Sequence, residues 1–264
     1  MIYSVARCTN PLCHEISELL AYIKEMKPKN LRIASYNIRK ARGLDQRRDP
    51  GRVLDVINAL EADIVVLQEA DLRLGRRKAA IPRQMIAENS DHNVVPLAQF
   101  EESLGWHGNA VLVRRGLDVS AKSRIELPGL EPRGAVIVKV SGVIHVTVVA
   151  AHLGLLRRDR RAQQAAICAA LPAHGNSIVA GDFNEWSPTK GLENFEKELR
   201  VHAPGPSFPT RLPMARLDRI ATGAGLQLIA SGIDSTKEAR LASDHLPIWA
   251  DIALSTRAAS PASD

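Results

Sequence analysis

Aromatic residues are scarce in this chain: Phe, Trp and Tyr together make up 4% of its 264 residues. A protein that holds single-stranded nucleic acid by stacking bases on aromatic platforms would carry more, so that mode of binding is disfavoured. Cysteine is scarcer still, with Cys8, Cys13 and Cys168 alone. An odd, sparse set builds no disulfide framework and fits a reducing cytoplasm. Cys8, Cys13 and His14 lack the second ligand pair at the spacing a structural zinc site requires. No uninterrupted apolar run reaches the length of a membrane span, so no transmembrane segment is expected. Glu15, Glu18, Lys24 and Glu25 break up the region where a secretory signal would carry its apolar core. There is no proline-rich or glycine–serine linker and no internal repeat at a fixed period.

What is present is an ordinary globular mixture, 45% hydrophobic and 24% charged, enough to bury a sizeable core. The length allows one large α/β domain or two small ones. A net charge of +6 is compatible with an anionic partner such as nucleic acid, a phospholipid headgroup or a phosphorylated small molecule, and equally with a solvated basic surface.

The first element expected is a helix from about Pro11 to Met26. Asn10 caps it, proline stands at its first position, and Ile16, Leu19, Leu20 and Ile23 form one apolar stripe. From Leu31 onward strands and helices alternate. Strands are expected at Leu31–Asn37, Ile64–Leu67, Asn109–Arg114, Ala135–Val140, Ile144–Ala151, Ile178–Ala180, Arg216–Ala221, Gly225–Ser231 and Pro247–Leu254. Helices are expected at Pro50–Leu60 (with Asp49 as cap), Arg161–Leu171 and Gly191–Leu199. Continuous runs such as Ile64-Val65-Val66-Leu67 read as strands covered on both faces. Strands bounded by helices argue a layered α/β sandwich, while periodicity leaves open whether it contains one sheet or two. The absence of a linker argues one domain over residues 31–254, preceded by the helical extension 1–30 and followed by a tail, 255–264, rich in Ala and Ser and expected to be disordered.

The chemistry sits at strand ends. Ser177-Ile178-Val179-Ala180 runs into Gly181-Asp182-Phe183-Asn184, and Ser243-Asp244-His245 precedes Leu246-Pro247-Ile248-Trp249. Ser35-Tyr36-Asn37-Ile38 and Leu67-Gln68-Glu69-Ala70 have the same build. Carboxylates, amides and an imidazole where buried strands emerge are what a metal-assisted attack on phosphorus needs. Hard divalent cations take oxygen ligands, and imidazolium or cationic donors stabilise charge growing on phosphoryl oxygens. Each cluster alone has a plain explanation as a turn or an exposed strand end; their repetition is what carries the reading.

The ordered set Ser35-Tyr36-Asn37-Ile38, Gln68-Glu69, Gly108-Asn109-Ala110-Val111-Leu112, Ala151-His152-Leu153, Gly181-Asp182-Phe183-Asn184, Leu217-Asp218-Arg219-Ile220 and Ser243-Asp244-His245-Leu246-Pro247 resembles the endonuclease/exonuclease/phosphatase superfamily from about Leu31 to Leu254. The resemblance implies a four-layer α/β/β/α sandwich with two facing mixed β-sheets and cleavage of a phosphate ester assisted by Mg²⁺ or Mn²⁺. It implies Glu69, Asn37 and Asp244 at the metal. Asp182 and Asn184 would orient the attacking water and the scissile phosphate. His245 would contact the phosphate, Asp218 would hold its imidazole, and His152 would be a second catalytic histidine. Either Asp182 or His245 can serve as the base. Arg133, in Glu131-Pro132-Arg133-Gly134, is the candidate phosphate clamp because a guanidinium fork suits phosphate oxygens, and Asn109 is the second candidate substrate-binding residue. His14, His92, His107, His145, His174 and His202 read as structural.

His152-Leu153 after a β-run is similar to the deoxyribonuclease, sphingomyelinase and 5-phosphatase branches. The chain departs from the related bacterial hydrolases at Arg39 and Ala151, which leaves the catalytic set intact and bears on substrate. The expectation is a cytoplasmic phosphodiesterase acting on a small or lipid-derived phosphodiester, with peripheral membrane contact compatible. A DNA or RNA nuclease is the alternative, and a non-catalytic anion-binding module is the alternative of another class.

Overall fold

A computed structural model describes residues 30–172 and 175–255. The helix expected over 11–26, the Cys8, Cys13 and His14 group, His174 and the tail beyond 255 lie outside the described residues. The elements run β1 (Leu31–Asn37), α1 (Pro50–Ala59), β2 (Ile64–Gln68), α2 (Arg83–Asn89), β3 (His92–Val94), β4 (Ala110–Arg114), β5 (Asp118–Leu127), β6 (Arg133–Ser141), β7 (Val146–His152), α3 (Arg157–Ala170), β8 (Ser177–Asp182), α4 (Glu193–Glu198), β9 (Arg200–His202), β10 (Asp218–Thr222), β11 (Leu226–Ile233), α5 (Lys237–Ala242) and β12 (Ile248–Leu254).

The strands form two six-stranded mixed sheets, ordered β11-β12-β1-β2-β4-β3 and β5-β6-β7-β8-β10-β9. Period-two alternation sends each strand's side chains to two different cores. Ile33, Ile64 and Val66 of the first sheet meet Val136, Val148 and Ile178 of the second in the central layer. Their neighbours Tyr36, Val65 and Leu67 point outward, under Val53 and Ile57 of α1 and Ala239 of α5. On the far side Val149 and Val179 face outward, under Ile167 of α3 and Phe195 of α4. The molecule is therefore a four-layer α/β/β/α sandwich, and because both faces of the central strands are covered they read as continuous apolar runs.

Topology decides where the site forms. The crossovers β1-α1-β2 and β7-α3-β8 make the only parallel pairs among the described strands. They bring the carboxyl ends of β1, β2, β7 and β8 to one end of the sandwich. β10, β12, β4 and β6 run antiparallel to these strands, so their amino ends arrive at the same place. Residues that precede one strand and follow another thus share a mouth.

Three strands and two helices go beyond the sequence reading. β5 is a sheet edge whose side chains are mostly exposed, so it carries no apolar run; it is held by backbone pairing to β6. β3 and β9 have three residues each, and α2 and α5 are seven and six residues long, too short for a helical period to register. α3 begins at Arg157, one turn before the expected Arg161. α1 is capped as expected, Asp49 accepting from the Arg52 N–H at 3.0 Å.

Gly181 shows how tightly the second sheet is drawn. A Cβ there would lie 1.8 Å from the Ala151 carbonyl oxygen, and its φ is +153°. Gly181→Ala is expected to cost about 3 kcal/mol and to lower the thermal unfolding midpoint by about 6–12 °C in a chain of this size; an unchanged melting curve would contradict the close approach.

Candidate active site

His152, Asp182 and Asp218 occupy directly adjacent positions on β7, β8 and β10: His152 pairs with Asp182, and Asp182 with Asp218. Counting by twos from Ala150, Ala180 and Ile220 shows that all three side chains point between the sheets. Asn37 does the same from the opposite sheet, in step with Ile33, and its Nδ2 donates to Asp182 Oδ2 at 3.0 Å. That hydrogen bond crosses the gap between the sheets and closes the bottom of the site. Asn184 takes the left-handed conformation, φ +51°, which asparagine tolerates better than most residues. Its N–H donates to Asp182 Oδ1 at 3.0 Å and its Nδ2 to the Leu153 carbonyl at 2.8 Å. The two loops carrying His152-Leu153 and Asp182-Asn184 are tied together by that amide.

His245 arrives from the segment before β12. Its Nδ1 lies 2.8 Å from Asp218 Oδ2, and its Nε2 lies 3.7 Å from Asp182 Oδ2. His152 Nε2 approaches the same Asp182 oxygen at 3.4 Å. Asp182, Asp218 and His245 therefore bring three possible ligand atoms within 4.8 Å of one another. With Nδ1 committed to Asp218, this buried group is better suited to holding a proton than to chelating an ion. The two histidines are driven apart electrostatically. Burial pushes the His152 imidazole down to about 3, with the Asp182 carboxylate opposing, so it is neutral. Burial also acts against His245, but Asp218 and Asp182 with the Asp218 hydrogen bond overcome it and raise that imidazole to about 10. Neighbouring titratable groups separated in this way are a mark of divided acid–base roles.

Glu69 follows β2 with φ +52°, and Arg39, Lys40 and Ala41 after β1 have φ of 47°, 57° and 57°. Left-handed backbone at non-glycine residues is held only where surroundings over-determine it, and such positions cluster at functional sites. Here the holding contacts are Lys40 N–H to the Glu69 carbonyl at 3.1 Å and Arg39 N–H to Asn37 Oδ1 at 3.2 Å. The Lys40 ammonium rests on Glu69 Oε2. Asp244 faces Arg39 Nε at 3.2 Å, and Ser243 Oγ donates to the Asn37 carbonyl at 2.7 Å. Glu69, His152, Lys40, Arg73, Arg77, His107 and Arg133 line one cleft of about 360 Å³.

Of the residues singled out in the sequence, Asn37, His152, Asp182, Asn184, Asp218 and His245 form one hydrogen-bonded and charge-paired cluster. Glu69 and Arg133 line the cleft beside it, and Asp244, adjacent to His245 in sequence, is paired with Arg39. Arg133 is braced by Glu131 Oε2 at 2.7 Å. Asn109 does not line the cleft: its Nδ2 donates to the Gly134 carbonyl at 2.8 Å, joining the two sheets, and its Oδ1 is buried without a hydrogen-bond partner. His92 and His202 are half-buried or buried and bonded to the Ala62 carbonyl and Thr222, in keeping with structural roles. His107 lines the cleft.

The sequence reading missed the second support of Asp218. Ser207 Oγ donates to Asp218 Oδ2 at 2.5 Å, and Phe208 packs on the His245 ring with centroids 4.8 Å apart. Ser207 and Phe208 lie outside any strand or helix, so no periodicity marks them. Nor did it foresee the buried pairing of Arg160, which donates to Glu185 Oε2 at 2.7 Å and to the Leu155 carbonyl at 2.6 Å. Both members of that ion pair are buried, and it holds the end of the Asp182–Asn184 loop against α3. Arg160→Ala leaves the Glu185 charge buried and unpaired. It is expected to cost about 3–5 kcal/mol, whereas removing both charges costs less; chemical denaturation of the single and double variants measures the difference.

Comparison with other proteins agrees with this architecture. Residues 34–245 match the Endonuclease/Exonuclease/phosphatase family. The chain is 31% identical over 226 residues to the uncharacterized protein YbhP of Escherichia coli K12, covering 76% of this chain and 87% of that one. Among solved structures it is similar to the mannosyl-6-phosphatase Bt3783 of Bacteroides thetaiotaomicron, at 17% identity and a TM-score of 0.67 over 85% of this chain and 100% of that one. It is also similar to D. rerio TDP2 complexed with a single-strand DNA product, at 18% identity and a TM-score of 0.63 over 84% and 98%. The chain belongs to the endonuclease/exonuclease/phosphatase family, whose members are hydrolases of phosphate esters.

Proposed function

We propose that this protein is a divalent-cation-dependent phosphodiesterase acting on a small or lipid-derived phosphodiester, working in the cytoplasm, with residues 31–254 as its catalytic domain. The observation that carries the reading is the meeting of Asn37, His152, Asp182, Asp218 and His245 at one sheet end, beside the cleft that Glu69 lines. A volume of about 360 Å³ is the size of a small-molecule site rather than of a duplex track. A nucleic-acid backbone comes second, supported by the single-strand DNA product bound in the similar D. rerio TDP2 structure.

Glu69, Asn37 and Asp244 would hold Mg²⁺ or Mn²⁺. The donors fit: they are oxygens, as a hard cation requires, and the Lys40 ammonium on Glu69 already marks that carboxylate as a place where positive charge settles. Divalent-cation dependence is general in the family. The bound cation would supply Lewis-acid stabilisation of charge on the phosphoryl oxygens. The chain's own residues do the rest. His245, cationic and anchored by Asp218, has no free lone pair, so it donates a hydrogen bond to a phosphoryl oxygen. Asp182 then remains as the acceptor of the water proton, with Asn184 fixing its other oxygen. His152, neutral, positions Asp182 Oδ2. Arg133 approaches substrate phosphate from the cleft wall, and Asn109 holds the β4–β6 wall from behind.

The test is hydrolysis of bis(p-nitrophenyl) phosphate with Mn²⁺. Chelation is expected to abolish turnover and added Mn²⁺ to restore it, while Glu69→Ala requires far more metal for any rate. Plasmid nicking at physiological salt is expected to be negligible, since non-specific backbone contacts weaken steeply with salt. No turnover across a broad panel of phosphoesters would leave only an anion-binding module.

A further inference from the structure

Among the described residues, six large apolar side chains are exposed between 61% (Trp186) and 88% (Leu74); the others are Leu130, Leu155, Leu212 and Met214. The remaining exposed large apolar side chains reach at most 49%. All six stand on loops at the catalytic end. Leu74 follows Glu69 by five residues, Leu130 precedes Arg133, Leu155 follows His152, Trp186 follows Asn184, and Leu212 and Met214 lead into Asp218. Two contacts tie loops of this crown to one another. The Leu155 N–H donates to Glu131 Oε1 at 2.9 Å, and Trp186 meets Phe208 edge-on at 5.9 Å, beside His245. Such exposure is costly in water and, when gathered at one end, marks a contact surface.

Cations flank these apolar tips. Arg73, Arg76, Arg77 and Lys78 surround Leu74; Arg157 and Arg158 follow Leu155-Leu156; Arg211 and Arg216 bracket Leu212 and Met214. Several have acidic partners, Arg73 with Glu69, Arg76 with Glu102, Arg157 with Glu193 and Arg158 with Asp159, while the 72–78 segment itself contains no acid.

We propose that this crown docks the catalytic end onto an anionic lipid surface. Apolar tips beside arginines match the two layers a membrane presents at one plane: acyl chains for the leucines and negative headgroups for the guanidinium groups. A nucleic-acid partner fits less well, because five of the six tips are aliphatic and offer no ring for a base to stack on. A protein partner fits less well, because the arginines stand beside the apolar tips on each side of the cleft, matching a plane of negative headgroups over acyl chains. This surface is independent of the catalytic reading, since none of the six side chains belongs to the Asp182–His245 cluster.

The experiment is co-sedimentation of the full chain with vesicles of phosphatidylcholine alone and with an equal part of phosphatidylglycerol. Binding is expected with the anionic vesicles and only weakly with the neutral ones. It should be lost when ionic strength is raised to about 1 M, where screening shortens to about 3 Å. Leu74→Ser/Leu130→Ser/Leu155→Ser is expected to lower the partition coefficient about tenfold or more while its melting temperature and its turnover of soluble bis(p-nitrophenyl) phosphate stay those of the parent. Asp182→Asn is expected to bind vesicles like the parent, so a failed docking surface and a failed hydrolase are read separately. Equal binding to neutral and anionic vesicles, no binding to either, or an undiminished triple variant would each overturn the proposal. So would retention of a DNA duplex that the leucine substitutions abolish.

Discussion

Asp182→Asn is expected to lower turnover of bis(p-nitrophenyl) phosphate with Mn²⁺ on the order of 10²- to 10⁴-fold, with little change in KM. The size follows from how many interactions converge on one oxygen. Asp182 Oδ2 accepts from Asn37 at 3.0 Å and lies 3.4 Å from His152 Nε2 and 3.7 Å from His245 Nε2, while Oδ1 takes the Asn184 N–H. Asparagine keeps the shape and loses both the charge and the capacity to take a proton from water. The backbone of β8 is paired on both sides, so the substitution leaves the fold in place. His245→Ala is expected to lose a comparable factor by a different route, through loss of the cation proposed to face the phosphoryl oxygens. Because both act in one step, the double variant should lose little more than either single one. Turnover by Asp182→Asn close to that of the parent would remove Asp182 from the chemistry and return the proton to another group.

Asp218→Asn is expected to move the alkaline limb of the turnover profile to lower pH and to cut turnover at pH 8 on the order of 10²-fold. Burial alone would push His245 down; the Asp218 carboxylate is foremost among the groups that overcome it and hold the imidazole at about 10. A raised histidine contributes stability fully present below its unfolded value near 6.5 and lost as pH rises through about 10. Removing Asp218 shortens that window from above, so both the imidazolium and its stabilising contribution disappear earlier on the alkaline side. Titration of the His245 ring by NMR in the metal-free protein separates this from simple unfolding, because a merely structural Asp218 would leave the ring's titration where it is. Asp218→Glu, which keeps the charge, should restore part of the window.

The strands that carry the site were legible because they are buried on both faces. β1, β2, β7 and β8 run Leu31–Asn37, Ile64–Gln68, Val146–His152 and Ser177–Asp182, and each apolar run ends in a polar residue that the same alternation turns inward. Edge strand β5 escaped notice because its side chains face water, and α2 and α5 because a helix of six or seven residues has too few turns for a stripe. Ser207 and Phe208 escaped because loop residues reach Asp218 and His245 through space, at no spacing the chain could encode. Arg133 had the right chemistry for a clamp, yet nothing linear announced that Glu131 would brace it.

By itself, the order of motifs from Asn37 to His245 determined the fold family and, at the level of phosphate-ester hydrolysis, the reaction class, because alternation and residue chemistry are local properties of a chain. The tertiary structure alone decided the protonation states: one histidine neutral, one charged, according to which carboxylates two sheets bring against each ring. It also decided that the most exposed leucines and the tryptophan gather around the cleft. Both depend on distances between segments far apart in sequence, and burial and Coulomb energy follow distance in space, not separation along the backbone.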